Sequence, residues 1–168
     1  PEPEPSPEPT PPAPEPPPAE AAPPAPRPYE LRSLDYDLFG NGEDPALVLA
    51  ESGPVWQRSG VSIAGRRHEH GITVPTLSTV TIALNRPCTS YRAFAGLDDL
   101  TLGLGAAVFS VHGDGQELWR SGTIRAGDPA VPLDVPLTGV ETLRLEVDPQ
   151  GPLGLVSLPD WADSEILC

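Results

Sequence analysis

Three small groups of residues carry the side chains that could do chemistry in this chain. Asp98 and Asp99 stand next to each other in Gly96-Leu-Asp-Asp-Leu-Thr-Leu-Gly-Leu-Gly105. Two adjacent carboxylates repel unless a positive group or a set of backbone amides lies close by. Their hard oxygens could hold a structural calcium ion together with nearby carbonyls, or one of them could cap the loop by accepting its amides, which is the commoner role. Asp160-Trp161-Ala162-Asp163 offers the same choice. His68-Glu69-His70 puts two imidazoles on one side of an extended segment. Chelation there would need a third ligand that the sequence does not show, and the spacing is not the helical H-E-x-x-H, so a solvated polar loop is the default. Three tryptophans, Trp56, Trp119 and Trp161, are the large aromatic planes.

Carboxylates are plentiful, but the chain is short and no G-x-S-x-G elbow or comparable nucleophile arrangement occurs in the sequence, so catalysis is not expected. The two cysteines, Cys88 and Cys168, are an even number in what reads as an extracytoplasmic β domain. That favours one disulfide over two buried thiols.

The elements that must position these groups begin after residue 28. Residues 1–28 are almost wholly Pro, Glu and Ala, with fifteen of the 25 prolines and no aromatic residue. Such a segment buries too little apolar surface to offset its chain entropy and is expected to stay disordered as a stiff Pro/Glu spacer. In polyproline II geometry it would reach roughly 85 Å. A P-x-x-P ligand at Pro11–Pro14 is the lesser reading, because no basic flank accompanies it. The remaining residues, 29–168, are expected to form one domain.

The net charge of −14 splits into −4 on the spacer and −10 on the domain, and all ten basic residues are Arg. Charge of this sign argues against nucleic acid and anionic membrane as partners. No apolar run approaches the roughly 18 residues of a membrane span, so this piece is expected to be soluble. The missing initiator Met and the stiff spacer suggest a C-terminal module attached to an upstream domain or membrane anchor, outside the cytoplasm.

Within 29–168 the signals are of strands and turns. Tyr29–Phe39 reads as a first strand, and Ala46–Ala50 as strand or helical turn. Short strands are expected at Ser62-Ile63 and Gly71–Val74, and a firm one at Ser78–Leu84, where β-branched residues alternate. Cys88–Ala95 puts Tyr91, Ala93 and Ala95 on one face. Ala107–His112 and Gln116–Arg120 form a hairpin, with Gly113-Asp114-Gly115 supplying the positive φ of its turn. In that alternation Trp119 falls on the face away from Leu118 and is the better exposed tryptophan. Val131–Leu137, punctuated by prolines, belongs at a sheet edge, and Thr142–Asp148 and Trp161–Leu167 complete the set. About eight or nine strands with regular turns and no long helix imply an all-β antiparallel sandwich.

Several of these pieces together resemble one family, the NPCBM/NEW2 carbohydrate-binding module. The resemblance covers about Ser59 to Leu167. It rests on Gly71-Ile-Thr-Val74 followed by Ser78-Thr-Val80, then Tyr91-x-x-Phe94 with Gly96-x-Asp98-Asp99. It continues through Val108-Phe109-x-Val111-x-Gly113-Asp-Gly115-x-x-Leu118-x-x-Ser121-Gly122 and Gly139-x-x-x-Leu143-x-Leu145, and ends at Asp160-Trp-Ala-Asp163.

The resemblance implies a galactose-binding-like jelly roll, a non-catalytic lectin-like role, and a terminal galactose-type glycan as partner. Such a site needs an aromatic plane for the apolar face of a pyranose and convergent polar groups for its hydroxyls. The candidate ligand-binding residues are Trp119, Asp98, Asp99, Asp160, Trp161 and His70, with calcium at Asp98 and Asp99 as the one metal option and no other cofactor expected. Trp161 has a competing role in the core, and Trp56 lies in a loop. Pro75 stands where the family has a histidine, and Ser157-Leu158 where it has an acid and a histidine. A second expectation is therefore an interaction or sensing module whose sugar site has decayed, binding a protein or cell-wall partner.

Overall fold

The computed structural model describes residues 1–22, 24–101 and 103–168. Pro23 of the spacer and Leu102 of the acidic loop lie outside the described residues. Residues 1–22 and 24–27 are exposed and carry neither helix nor strand. Hydrogen-bonded contact with the domain begins at Arg27, whose N–H donates to the Cys168 carbonyl at 2.7 Å.

The strands are β1 (Pro28–Glu30), β2 (Asp35–Asp37), β3 (Ala46–Val48), β4 (Trp56–Arg58), β5 (Val61–Ile63), β6 (Arg66–His68), β7 (Gly71–Thr73), β8 (Ser78–Ala83), β9 (Ser90–Leu97), β10 (Ala106–Gly113), β11 (Gln116–Arg120), β12 (Ile124–Arg125), β13 (Val131–Pro136), β14 (Thr142–Pro149) and β15 (Pro159–Leu167). The helical content among the described residues is three single 3-10 turns, Leu31–Ser33, Leu49–Glu51 and Gly154–Val156. The expected first strand is thus two short strands around a 3-10 turn, and Ala46–Ala50 is both strand and turn. Among the described residues no helix is long and apolar enough to cross a membrane.

Two sheets face each other. One has the order β13-β9-β15-β7-β4, with β1 added on β15; the other runs β11-β10-β14-β8-β3-β2, with β12 on β10. Every pairing is antiparallel except β2 with β3, which is parallel. The proline-rich β13 sits at an edge, where its missing N–H groups leave no gap in a ladder. Strand alternation sends Leu143, Leu145 and Val147 of β14 inward against Tyr91, Ala95 and Trp161 of the opposite sheet, all of them buried in one core. Burying each large apolar side chain in such a core contributes about 1.5–3 kcal/mol. Cys88 and Cys168 are joined as a disulfide, tying the start of β9 to the end of β15.

A third, two-stranded unit, β5 with β6, lies on the outer face of the first sheet. Its Val61 and Ile63 form a small second core with Ala162. The sequence marks Ser62-Ile63 of β5 as a short strand, whereas the three residues of β6 are too few to show a period. The cover it provides buries His68 and His70, which are 3% and 7% exposed. The solvated polar loop expected for His68-Glu69-His70 is therefore replaced by a packed one. The His68 Nδ1 lies 2.8 Å from Asp163 Oδ2, and its ring lies tilted against Phe94 with centroids 5.1 Å apart.

Candidate functional site

The chemistry gathers where the edge strand β4 meets β7 and β15. Strand register decides this: Trp56 pairs with Thr73, and Thr73 with Asp160. The three side chains therefore stand in one cross-strand row on the outer face, with Arg58 two residues along β4 on the same face. Asp98 enters from the end of β9, held by an isolated bridge to Ile63 of β5. The 3-residue edge strand β4 thus carries both a tryptophan and an arginine into the group.

Arg58 is its hub. Its Nη1 donates to Asp98 Oδ2 and to Thr73 Oγ1 at 3.1 Å, and its guanidinium lies 4.2 Å over the Trp56 ring. This fork and stack fix the indole plane. Thr73 Oγ1 in turn donates to Asp160 Oδ1 at 2.5 Å. Asp160 is fully buried, and its Oδ2 accepts from no protein donor. Burial, and next the Asp98 carboxylate beside it, push its carboxyl up to about 9. Asp160 thus keeps its proton at neutral pH, leaving one cation, Arg58, against one anion, Asp98.

Above this buried set opens a groove of about 280 Å³, lined chiefly by Pro54, Trp56, Val74, Pro75 and Leu158. Trp56 is 53% exposed there. The loops beyond Leu158 and Asp98 are bonded to each other, Leu158 N–H donating to Thr101 Oγ1 at 3.0 Å. They expose Leu100, Leu104, Leu153, Leu155 and Val156.

The residues selected from sequence are dispersed by this arrangement. Asp98 and Asp160 belong to the buried set beneath the groove. Asp99 turns the other way: its Oδ2 accepts from Ser62 Oγ at 2.6 Å and from Gly65 N–H at 2.9 Å, and the Ser62 bond first, helped by the Gly65 amide, holds its carboxyl below the usual range. It caps the β5–β6 turn. Asp98 Oδ1 accepts the Leu100 N–H at 2.9 Å, and among the described residues no group of three or more His, Cys, Asp or Glu could hold a metal ion. His70 lies outside the groove, its Nε2 3.5 Å from Glu30 Oε1.

Two tryptophans require correction as ligand planes. Trp161 is 0% exposed and sits in the core, edge-on to Phe109 at 5.2 Å. Trp119 is half-buried and packs against the same core. A register shift between Val111 and His112 puts Trp119 opposite the inward Val111, while Glu117 pairs with His112. That irregularity reverses the parity on which its exposure was expected. Sequence reasoning missed Arg58 altogether. The signal that could have found it is the Trp56-x-Arg58 spacing, which aligns both on one face of a strand.

With this geometry in view, the relatives can be placed. The NPCBM/NEW2 domain family matches residues 33–167. The chain belongs to that family. It is a carbohydrate-binding module by family membership. A Renibacterium salmoninarum protein named for endo-alpha-N-acetylgalactosaminidase activity is 30% identical over 130 residues, 76% of this chain, and the chain spans only 9% of that relative's length.

Among solved structures, the CBM51 from Clostridium perfringens GH95, in complex with methyl-galactose, superposes with a TM-score of 0.66 at 17% identity, covering 83% of this chain and 99% of that one. The CBM51-2 and INT domains of Clostridium perfringens ZmpB give 0.67 at 17%, covering 84% and 31%. The ZmpB pair has also been solved with GlcNAc bound. At these identities the likeness establishes that the NPCBM/NEW2 module here has the sandwich fold of the CBM51 structures.

Proposed function

We propose that this module is non-catalytic and binds a terminal galactose-type glycan in the Trp56 groove, displayed outside the cytoplasm on its Pro/Glu segment. The observation that carries the reading is the indole of Trp56, fixed by Arg58 over a matched Arg58–Asp98 pair and open on the groove side. A pyranose stacks its apolar face on such a plane, and the Arg58–Asp98 pair beneath holds that plane in position. The methyl-galactose complex of the GH95 module and the GlcNAc complex of the ZmpB module support a small sugar as ligand. Asp98 already has a cation, Arg58, as its partner, so binding is proposed to need no calcium. Affinity in the range of about 1 mM to 1 μM would suffice, because attachment to a further domain raises the effective concentration.

The test is calorimetric titration of the whole chain with methyl-galactose and with N-acetylglucosamine, with and without EDTA. Saturable binding, unchanged by EDTA and weakened at least tenfold by Trp56→Ala without change in the thermal midpoint, is expected. Binding indifferent to Trp56→Ala would remove the groove from consideration.

One observation favours a second reading, a protein partner. Pro75 and Leu158 make the groove walls apolar, and the aliphatic residues of the neighbouring loops extend that surface. Silence toward both sugars and a broad glycan array from the folded chain would favour it.

A further inference from the structure

A second groove, of about 650 Å³, lies at the far end of the sandwich, between Phe39 on one side and Asn85, Arg86 and Glu141 on the other. Pro75 of the first groove lies just before β8, and the last residue of β8, Ala83, lines the second. The two are separated by the length of that strand, about 17 Å at 3.3 Å per residue. The second groove sits at the end where Arg27 pairs with Cys168.

We propose that this groove is a second saccharide-binding site, which makes the module bivalent. The proposal rests on the reading of the chain as a glycan binder and extends it. Phe39 is 67% exposed, which alone would be ordinary for a surface residue. It is, however, held in place: Asp37 Oδ1 accepts the N–H groups of both Phe39 and Gly40 at 2.9 Å, and Gly40 packs against Ala83 and Val48 with no room for a Cβ. A backbone braced here keeps the ring at the mouth of the groove, which limits the ordering cost of binding.

The polar wall is likewise braced. Asn85 Nδ2 donates to the Asp44 carbonyl at 2.9 Å, and Arg86 Nη1 donates to Asp44 Oδ1 at 2.8 Å and to Tyr29 OH at 2.6 Å. These bonds leave the amide oxygen of Asn85 and the carboxylate of Glu141 to accept from a ligand. An aromatic face opposed by an amide, a charge-matched guanidinium and a carboxylate suits a neutral ligand rich in hydroxyls. Arg86 is already neutralised by Asp44 and the domain is acidic, so a polyanion does not fit. None of residues 1–22 or 24–27 lines the groove.

Two sites at opposite ends would engage two glycan ends at once, and the gain would come from avidity rather than from tighter contact at either. The deciding experiment is an amide chemical-shift titration of the full chain with methyl-galactose and with N-acetylglucosamine. Two separate sets of shifts are expected for at least one sugar, one around Trp56, Thr73 and Leu158, the other around Phe39, Asn85 and Gly139. Phe39→Ala and Glu141→Gln should weaken the second set at least tenfold and leave the affinity of the first unchanged.

Shifts confined to the Trp56 region would overturn the second site and leave the first standing. Shifts confined to the Phe39 region would support the second and remove the first. A folded chain silent to both sugars would overturn both, as would a Phe39 set unaffected by Phe39→Ala for the second site alone.

Discussion

At the scale of single residues, the site depends on how three charged groups are reduced to one matched pair. Arg58 faces two carboxyl groups, and Asp160, the more deeply buried, avoids the cost of an uncompensated buried charge by staying protonated. The sign of the linkage follows. Its folded pKa, about 9, is raised above the ordinary 3.8, so between those values the folded state binds the extra proton. Its stabilising contribution is complete below about pH 4 and declines as pH rises toward 9, by up to about 1.4 kcal/mol per pH unit. Asp160→Asn, which keeps the shape and an uncharged acceptor for Thr73, should abolish that slope. Urea midpoints at pH 5 and pH 8 should fall further for the parent chain than for the variant. Parallel profiles would show that Asp160 is ionised in the folded state.

At the scale of elements, the site depends on how closely β7 can approach β15. Gly71 opens β7 opposite Ala162. A Cβ at Gly71 would lie 2.8 Å from the Trp161 carbonyl oxygen and 3.1 Å from Ala162 Cα. Both are backbone atoms that cannot swing aside, so Gly71→Ala should cost on the order of 1–3 kcal/mol by overpacking. It should also disturb Thr73 two residues on, and with it sugar binding. Gly122, where an added Cβ meets nothing within 4 Å, supplies the control: Gly122→Ala should stay within about 0.5 kcal/mol in chemical denaturation. Equal losses in the two variants would refute the close-approach explanation. In the β10–β11 hairpin the turn itself uses Asp114 and Gly115, with φ of 49° and 81°, while Gly113 remains in the strand. The expected turn is present and shorter by one residue.

At the scale of the molecule, the disulfide, Arg27 and the C-terminal Cys168 gather at one pole and the Trp56 groove at the other. Cys88 and Cys168 are 80 residues apart in sequence, and closing so long a loop removes much of the entropy of the unfolded chain. Replacing both with Ser should lower the unfolding free energy by about 2–5 kcal/mol while leaving sugar affinity intact, because the bridge lies far from Trp56. Denaturation midpoints that coincide with and without reductant would contradict this. The same polarity points the Trp56 groove away from Arg27, where the Pro/Glu segment joins.

How much of this was legible in the sequence varies with the length of the pattern. β14 and most of β9 bury alternate residues, and β8 and β10, buried on both faces over part of their length, still alternate apolar side chains in sequence, so the inward faces and the sandwich class could be read from period-2 alternation. The ordered run of motifs from Gly71 to Asp163 identified the family, and the even cysteine count favoured the bridge that is present. The site itself was only half legible. Asp98 and Asp160 were selected as carboxylates, yet their partner Arg58 and the exposed plane of Trp56 sit on a three-residue edge strand with no period to reveal it. Trp119 and Trp161 were offered as planes, but one parity-shifting bulge and the depth of the core removed them. Local alternation determines which residues a strand buries, because side chains point to opposite faces in turn. Which strands lie side by side, and so which distant side chains share a row, is decided by tertiary packing alone.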